Sequence, residues 1–220
     1  MKKRVIISWS SGKDSTLTLC RLLKSDSYQV VGLYTTYVAD AVPFQATPIE
    51  IVKAQAESIG LPLVLIELSE VFPPNDVYQS AVIEGIRNCG LNVEAVAFGD
   101  MFCNGIEAYR RGYIEPQGWE CVFPLLGEDS KSLAEEIIRT GIETTLSTVD
   151  THQLDGSFLG RRFDKPLLDD LPVSCDPCGE DGEFHTLVTN APCFKTPLSV
   201  TIIGEEREGR FHHLSYHLDR

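Results

Sequence analysis

Through the first half of the chain, short apolar runs alternate with longer stretches whose apolar residues recur every three or four positions. Runs of the first kind suit strands buried on both faces, and stretches of the second suit helices that cover them. The expected strands are Arg4 to Ser8, Val30 to Thr35, Leu63 to Leu68, Glu94 to Phe98 and Cys121 to Phe123. Between them, Asp14 to Lys24 puts Leu17, Cys20 and Leu23 on one stripe, and Pro48 to Ile59 opens on a proline and stops at Gly60. Asn75 to Asn88 and Ile106 to Gly112 are the remaining helices. The order predicts an α/β fold, a parallel five-stranded sheet with right-handed crossovers.

The texture changes at Gly127. A helix is expected from Ser130 to Arg139, and the sequence beyond it is rich in turns and carries Pro166, Pro172, Pro177, Pro192 and Pro197. This predicts two domains, residues 1–127 and a smaller one, 128–220, built of short strands and ordered loops. The stretch Phe211 to His217 reads equally as a metal tract or an edge strand, and no function is assigned to it.

Composition narrows the functional classes. Nineteen basic against 32 acidic residues give a net charge of −13, which repels a phosphate backbone and leaves room only for a local anion site. Non-specific nucleic-acid binding is therefore not expected. The 43% hydrophobic content is enough for a real core. No stretch reaches the roughly 18 apolar residues of a membrane span, and the start at Met1 to Ile7 is too short in apolar residues for an export signal. Seven cysteines without a secretory context fit reduced thiols, so a cytoplasmic chain is expected. A homodimer is compatible with the sequence, which does not fix the oligomeric state.

The chemistry concentrates where the first strand runs into Ser10-Ser11-Gly12-Lys13-Asp14-Ser15 and a helix starts at once. Such a turn aims free N–H groups and the positive helix end at one spot. Small Ser and Gly residues let an anion approach, Lys13 adds a charge and Ser15 a hydroxyl. A Walker A loop needs an earlier glycine that this chain lacks. The same six residues would otherwise be an ordinary helix start capped by Asp14 or Ser15. Gly99 and Asp100 close the fourth strand and should face the same crevice, since ligands of doubly wound sheets gather at the carboxyl ends of strands. Asp14 and Asp100 are candidate ligands for Mg²⁺, although Gly99-Asp100 read alone is equally a plain turn.

The loop resembles that of the PP-loop ATP pyrophosphatases. Together with Ala54 to Pro62, Phe98 to Asp100, Phe123 to Leu125 and, above all, Asp176 to Val188, it makes the chain similar to the diphthine–ammonia ligase (diphthamide synthase) family, closer in texture to its bacterial-type relatives than to the archaeal and eukaryotic enzymes. The resemblance implies an adenine nucleotide α-hydrolase-like (HUP or Rossmann-like) domain followed by a smaller α+β domain. It further implies ATP and Mg²⁺, adenylation of a carboxylate acceptor, release of pyrophosphate, and displacement of AMP by ammonia. Ser10 to Ser15, Gly99 and Asp100 would then bind the nucleotide, with Lys13 and Asp14 taking part in catalysis. Residues 44–48 and 103–111 depart from the family pattern and fall where the acceptor is expected.

Downstream, Glu180, Glu183, His185 and Thr186 occupy one glycine-punctuated segment. If Glu183 to Val188 is a strand, alternation puts Glu183 and His185 on one face and Thr186 on the other. The acids and the imidazole could bind the acceptor or move a proton, with Glu183 and His185 as catalytic candidates. A polar turn before a half-exposed strand is the competing reading. Cys175, Cys178, His185 and Cys193 could also be assembled as a zinc site, at spacings foreign to common zinc modules. Arg161, Arg162 and Asp164 read as crevice residues or as a solvated loop. Two other functions stay open: activation of a different acceptor such as a nucleobase, and nucleotide binding without turnover.

Overall fold

A computed structural model of the protein describes residues 1–43, 45–102 and 105–219. Phe44, Cys103 and Asn104, which belong to the two segments departing from the family pattern, lie outside the described residues. The first half runs β1 (Lys3–Ser8), α1 (Lys13–Leu23), β2 (Tyr28–Tyr37), a small hairpin of β3 (Ala41–Val42) and β4 (Thr47–Pro48), and α2 (Ile49–Ile59). It continues with β5 (Leu63–Glu67), α3 (Asn75–Asn88), β6 (Ala95–Ala97), α4 (Ile106–Ile114) and β7 (Glu120–Val122). Five of these strands form one parallel sheet in the order β5-β2-β1-β6-β7. The expected α/β architecture is met, strand for strand.

The sheet is covered on both faces, as the uninterrupted apolar runs require. Along β1, Val5 and Ile7 join a core that includes Leu17 and Leu19 of α1 and Val52 of α2, whereas Ile6 packs with Val82 and Ile86 of α3. Helix α2 stops at Gly60, whose φ of 80° is the left-handed value a side chain would resist. The chain builds β2 and β5 to one side of β1 and then returns to build β6 and β7 on the other. The crevice at the carboxyl ends of β1 and β6 is therefore the topological switch point, where ligands of such sheets collect.

The second half comprises α5 (Ser130–Thr140), β8 (Glu143–Asp150), α6 (Lys165–Asp170), β9 (Phe184–Asn190), β10 (Val200–Glu208) and β11 (Phe211–Leu218). The four strands form an antiparallel sheet in the order β10-β11-β8-β9. They are longer than the sequence led us to expect, because the prolines fall in the helix start and the connections and leave the strands intact. Nor is β11 an edge strand: it pairs with β10 along its length and with β8 through Phe211 to His213. One edge is β10, most of which is exposed on both faces, so no alternation marks it in the sequence; the other is β9.

The core on the α1 face continues without a break into Leu133 and Ile137 of α5, Leu146 and Val149 of β8, and Val188 of β9. The two sheets thus share apolar packing, and β9 lies directly over the start of α1. Among the described residues no helix is long and apolar enough to cross a membrane.

Candidate active site

The segment after β1 makes its turn at Ser11, whose φ of 72° costs a non-glycine residue about 1–2 kcal/mol. Surrounding bonds hold it there. Ser11 Oγ lies 3.0 Å from Gln45 Oε1 and 2.9 Å from Thr47 Oγ1, and its carbonyl accepts from Gln55 Nε2 at 3.2 Å and from the Val188 N–H at 3.1 Å. Gly12 is the extended residue before α1. The Lys13 N–H donates to Thr186 Oγ1 of β9 at 3.1 Å, and the hydroxyls of Ser15 and Thr16 donate back to the Gly12 carbonyl. A first helical turn has no preceding carbonyls to bond, so its N–H groups are the natural receivers of an anion.

Lys13 is almost wholly buried, 3% exposed, with Nζ donating to Asp14 Oδ2 at 2.9 Å and standing 5.6 and 5.9 Å from the ring centres of Phe184 and Phe163. Burial works against its charge, but Asp14, Cys178 and Glu180 outweigh that and hold the ammonium above the ordinary lysine range. Burial raises the Asp14 carboxyl, and Lys13 opposes the rise. Gly99 explains its own identity: a Cβ there would come within 3.0 Å of the Asp14 carbonyl carbon and the Ser15 nitrogen, which are backbone and cannot swing away.

These groups open onto a cleft of about 280 Å³. Of the residues singled out in the sequence, Ser10, Lys13, Asp14, Ser15, Gly99, Asp100, Glu180, His185 and Thr186 line it. Ser11 and Gly12 form the back of the loop. Glu183 does not face the cleft: its carboxylate accepts from the Asp176 N–H at 2.7 Å and the Asp181 N–H at 3.0 Å, clasping the loop before β9. Strand β9 begins one residue later, at Phe184, so the alternation expected from Glu183 onward does not hold. The register shift between Leu146 and Thr148 on the partner strand accompanies the appearance of both His185 and Thr186 in the cleft.

Glu180 and His185 differ sharply in proton affinity. Burial, with Asp14 close by, pushes the Glu180 carboxyl up to about 7, against the pull of Lys13. Burial and the Lys13 charge push His185 down to about 4, leaving a neutral imidazole at physiological pH. The cleft also holds Cys178, read in the sequence only as a zinc candidate, and Gln45 and Arg110, to which the sequence reading assigns no individual role. Arg110 carries no local signal, since it stands beside Arg111, a surface residue paired with Glu107 and Glu115.

The remaining candidates lie elsewhere. Asp164 caps α6 by accepting from the Leu167 N–H, Arg161 pairs with Asp170 and Arg162 with Glu143. The proposed zinc set is dispersed: Cys178 Sγ donates to the Ser130 carbonyl, and Cys193 Sγ lies 3.9 Å from Cys20 Sγ. Among the described residues, no group of three or more His, Cys, Asp or Glu is arranged to hold a metal. A site for Mg²⁺ needs fewer protein ligands, one or two carboxylates completed by phosphate and water. Asp14 fits it, because Asp14 Oδ1 is buried and has no hydrogen-bond partner among the described residues, and Asp100 lines the same cleft with Oδ2 shared with Arg110.

Comparison with known proteins agrees along most of the chain. Residues 3–115 match the family model of the diphthamide synthase N-terminal domain, and residues 129–220 match that of the diphthamide synthase C-terminal domain. A diphthine–ammonia ligase of Schizosaccharomyces pombe is 25% identical over 219 residues, covering 87% of this chain and 35% of the relative, so this chain spans about a third of that protein. Two solved structures share a weaker likeness. One, a predicted subunit of tRNA methyltransferase from Methanocaldococcus jannaschii, has 17% identity and a TM-score of 0.45 over 66% of this chain and 78% of its own. The other, a U34-tRNA thiolase from Methanococcus maripaludis with its [4Fe-4S] cluster, has 19% identity and a TM-score of 0.37 over 60% and 55%. Likeness this slight does not bear on chemistry.

Proposed function

The chain belongs to the diphthamide synthase family of PP-loop ATP-utilising enzymes, and on that premise we propose that it is an ATP-dependent ligase that joins ammonia to a carboxylate acceptor. In the first step an acceptor oxygen attacks the α-phosphorus, the bond to the β-phosphate oxygen breaks, and pyrophosphate leaves. In the second, ammonia attacks the acyl carbon, the bond to AMP breaks, and the nitrogen gives up a proton. Adenylation is needed because a carboxylate oxygen leaves poorly and AMP leaves well.

Lys13, the first turn of α1 and Ser15 hold the β- and γ-phosphates and stabilise the leaving pyrophosphate. Bound Mg²⁺ would neutralise phosphate charge, held by Asp14 and Asp100. We place the acceptor against residues 128–220, the smaller domain, with Thr186 tying that side to the loop. Glu180 is the proton acceptor, since a carboxyl poised near 7 takes a proton readily at neutral pH. His185, neutral at that pH, orients ammonia through a hydrogen bond and does not take up the departing proton. Glu183 supports the loop that presents Glu180.

The observation that carries this reading is the buried Lys13–Asp14 pair at the start of α1, opening onto the same cleft as Glu180. The test is a product assay with MgATP, ammonium and a panel of carboxylates that includes diphthine-bearing elongation factor. AMP, pyrophosphate and amide in equal amounts are expected. Release of ADP and phosphate instead would assign the protein to another class of ATPase, and AMP with pyrophosphate but no amide would mean a different acceptor chemistry.

A further inference from the structure

Lys13 and Arg110 are the only lysine and arginine that line the cleft among the described residues, and they face a lining that includes Asp14, Asp100 and Glu180. Against such a lining a triphosphate is better held by two protein cations than by one. Lys13 shares its charge with Asp14, bonded at 2.9 Å, and lies near two aromatic rings. Arg110 is held differently. Its side chain is only 16% exposed, yet Nε is 3.3 Å from Asp100 Oδ2, and one terminal nitrogen is 3.4 Å from Tyr78 Oη and 3.3 Å from Tyr113 Oη. Every one of these contacts is longer than the 2.7–2.9 Å of a strong charge-assisted bond.

The guanidinium is stacked 4.7 Å from the centre of the Phe98 ring, which fixes its plane and leaves its fork under-used. A guanidinium keeps its charge in protein surroundings. Position selects the ligand. Arg110 contacts Asp100, the neighbour of Gly99, and Gly99 lies against the Asp14–Ser15 backbone at the start of α1. A phosphate next along the chain from the pair held by the loop would meet this fork.

We propose that Arg110 recognises the α-phosphate of the nucleotide, so that the cleft reads the two ends of the cleaved bond with separate cations: Lys13 for the pyrophosphate, Arg110 for the phosphate that stays with AMP. This rests on the ATP-cleavage reading above. Charge develops on the α-phosphate oxygens during displacement, and a planar fork suits two of those oxygens better than a point charge does.

Calorimetry on the whole protein with Mg²⁺ tests it, using adenosine, AMP and pyrophosphate as probes. Wild type should bind AMP more tightly than adenosine, and Arg110→Ala should weaken AMP binding about 10–100-fold, the loss of one charge-assisted contact. Adenosine and pyrophosphate affinities should stay within about twofold, which also shows that the variant is folded. Arg110→Lys should recover only part of the AMP affinity and serves in place of the alanine variant if that one fails to fold. Lys13→Ala should show the reverse pattern. Unchanged AMP affinity in Arg110→Ala, or equal losses for AMP and pyrophosphate, would overturn the assignment while leaving ATP cleavage intact. Failure of wild type to bind either AMP or pyrophosphate would sink both readings together.

Discussion

The two sides of the cleft are built from different material. On the parallel-sheet side the working parts are largely main chain: the turn at Ser11, the first N–H groups of α1, and a glycine at position 99 that exists because backbone lies 3.0 Å from where its Cβ would be. On the antiparallel side they are side chains, Glu180, His185 and Thr186, set on a loop and the first residues of one strand. Main-chain donors cannot be exchanged by substitution, which suits a ligand that never varies. Side chains can be exchanged singly, which would suit the acceptor and proton roles proposed for them.

The comparison breaks first, and with the largest effect, at Lys13. Lys13→Ala should lower pyrophosphate release by about 10²–10³-fold, because one preorganised donor is lost from the leaving group. If its turnover and ATP affinity match wild type, the loop is only a helix start.

On the opposite side, Glu180→Gln should cost about 10²-fold in amide formation and leave ATP-analogue binding nearly unchanged. Its signature is pH. A carboxyl raised to about 7 accepts a proton only when ionised, so wild-type rate should climb as pH rises through that value and then level off. The glutamine variant should lose this limb. Stability runs the other way: the fold favours neutral Glu180, so wild type should lose stability as pH rises from about 4.5 to about 7, and Glu180→Gln should not. Urea midpoints across that range measure it, and parallel curves for the two proteins would contradict the burial of this carboxyl.

The smallest effect, and the sharpest contrast, comes three residues later. Glu183→Gln removes a charged acceptor from two backbone N–H groups, so it should lower stability by about 1–3 kcal/mol. Turnover per folded molecule should stay within about threefold. A large fall in turnover with unchanged stability would return Glu183 to the chemistry.

Legibility in the sequence divides along the same line. Strands of the parallel sheet are apolar on both faces and show as runs, so β1, β2, β5, β6 and β7 all lie close to where the pattern puts them. The loop after β1 is contiguous, and its chemistry is readable in six letters. The antiparallel side resisted: β10 is mostly exposed on both faces and has no period, and the partition of Glu183, His185 and Thr186 depended on where β9 begins. Arg110 and Arg111 are neighbours on one helix, and only packing tells the buried one from the solvated one.

One bond has a consequence for the making of the protein. The Lys13 N–H donates to a hydroxyl 173 positions further along the chain, and the strained Ser11 carbonyl accepts from Val188. As the chain emerges from the ribosome, the loop comes out early without the groups that hold its shape, and those groups arrive only with β9. Contacts of such long sequence separation close late in folding. A ribosome-bound intermediate carrying the whole parallel sheet but lacking β9 would have an unfinished cradle, so the loop takes its final shape only once the strand that forms the opposite wall of the cleft has been made.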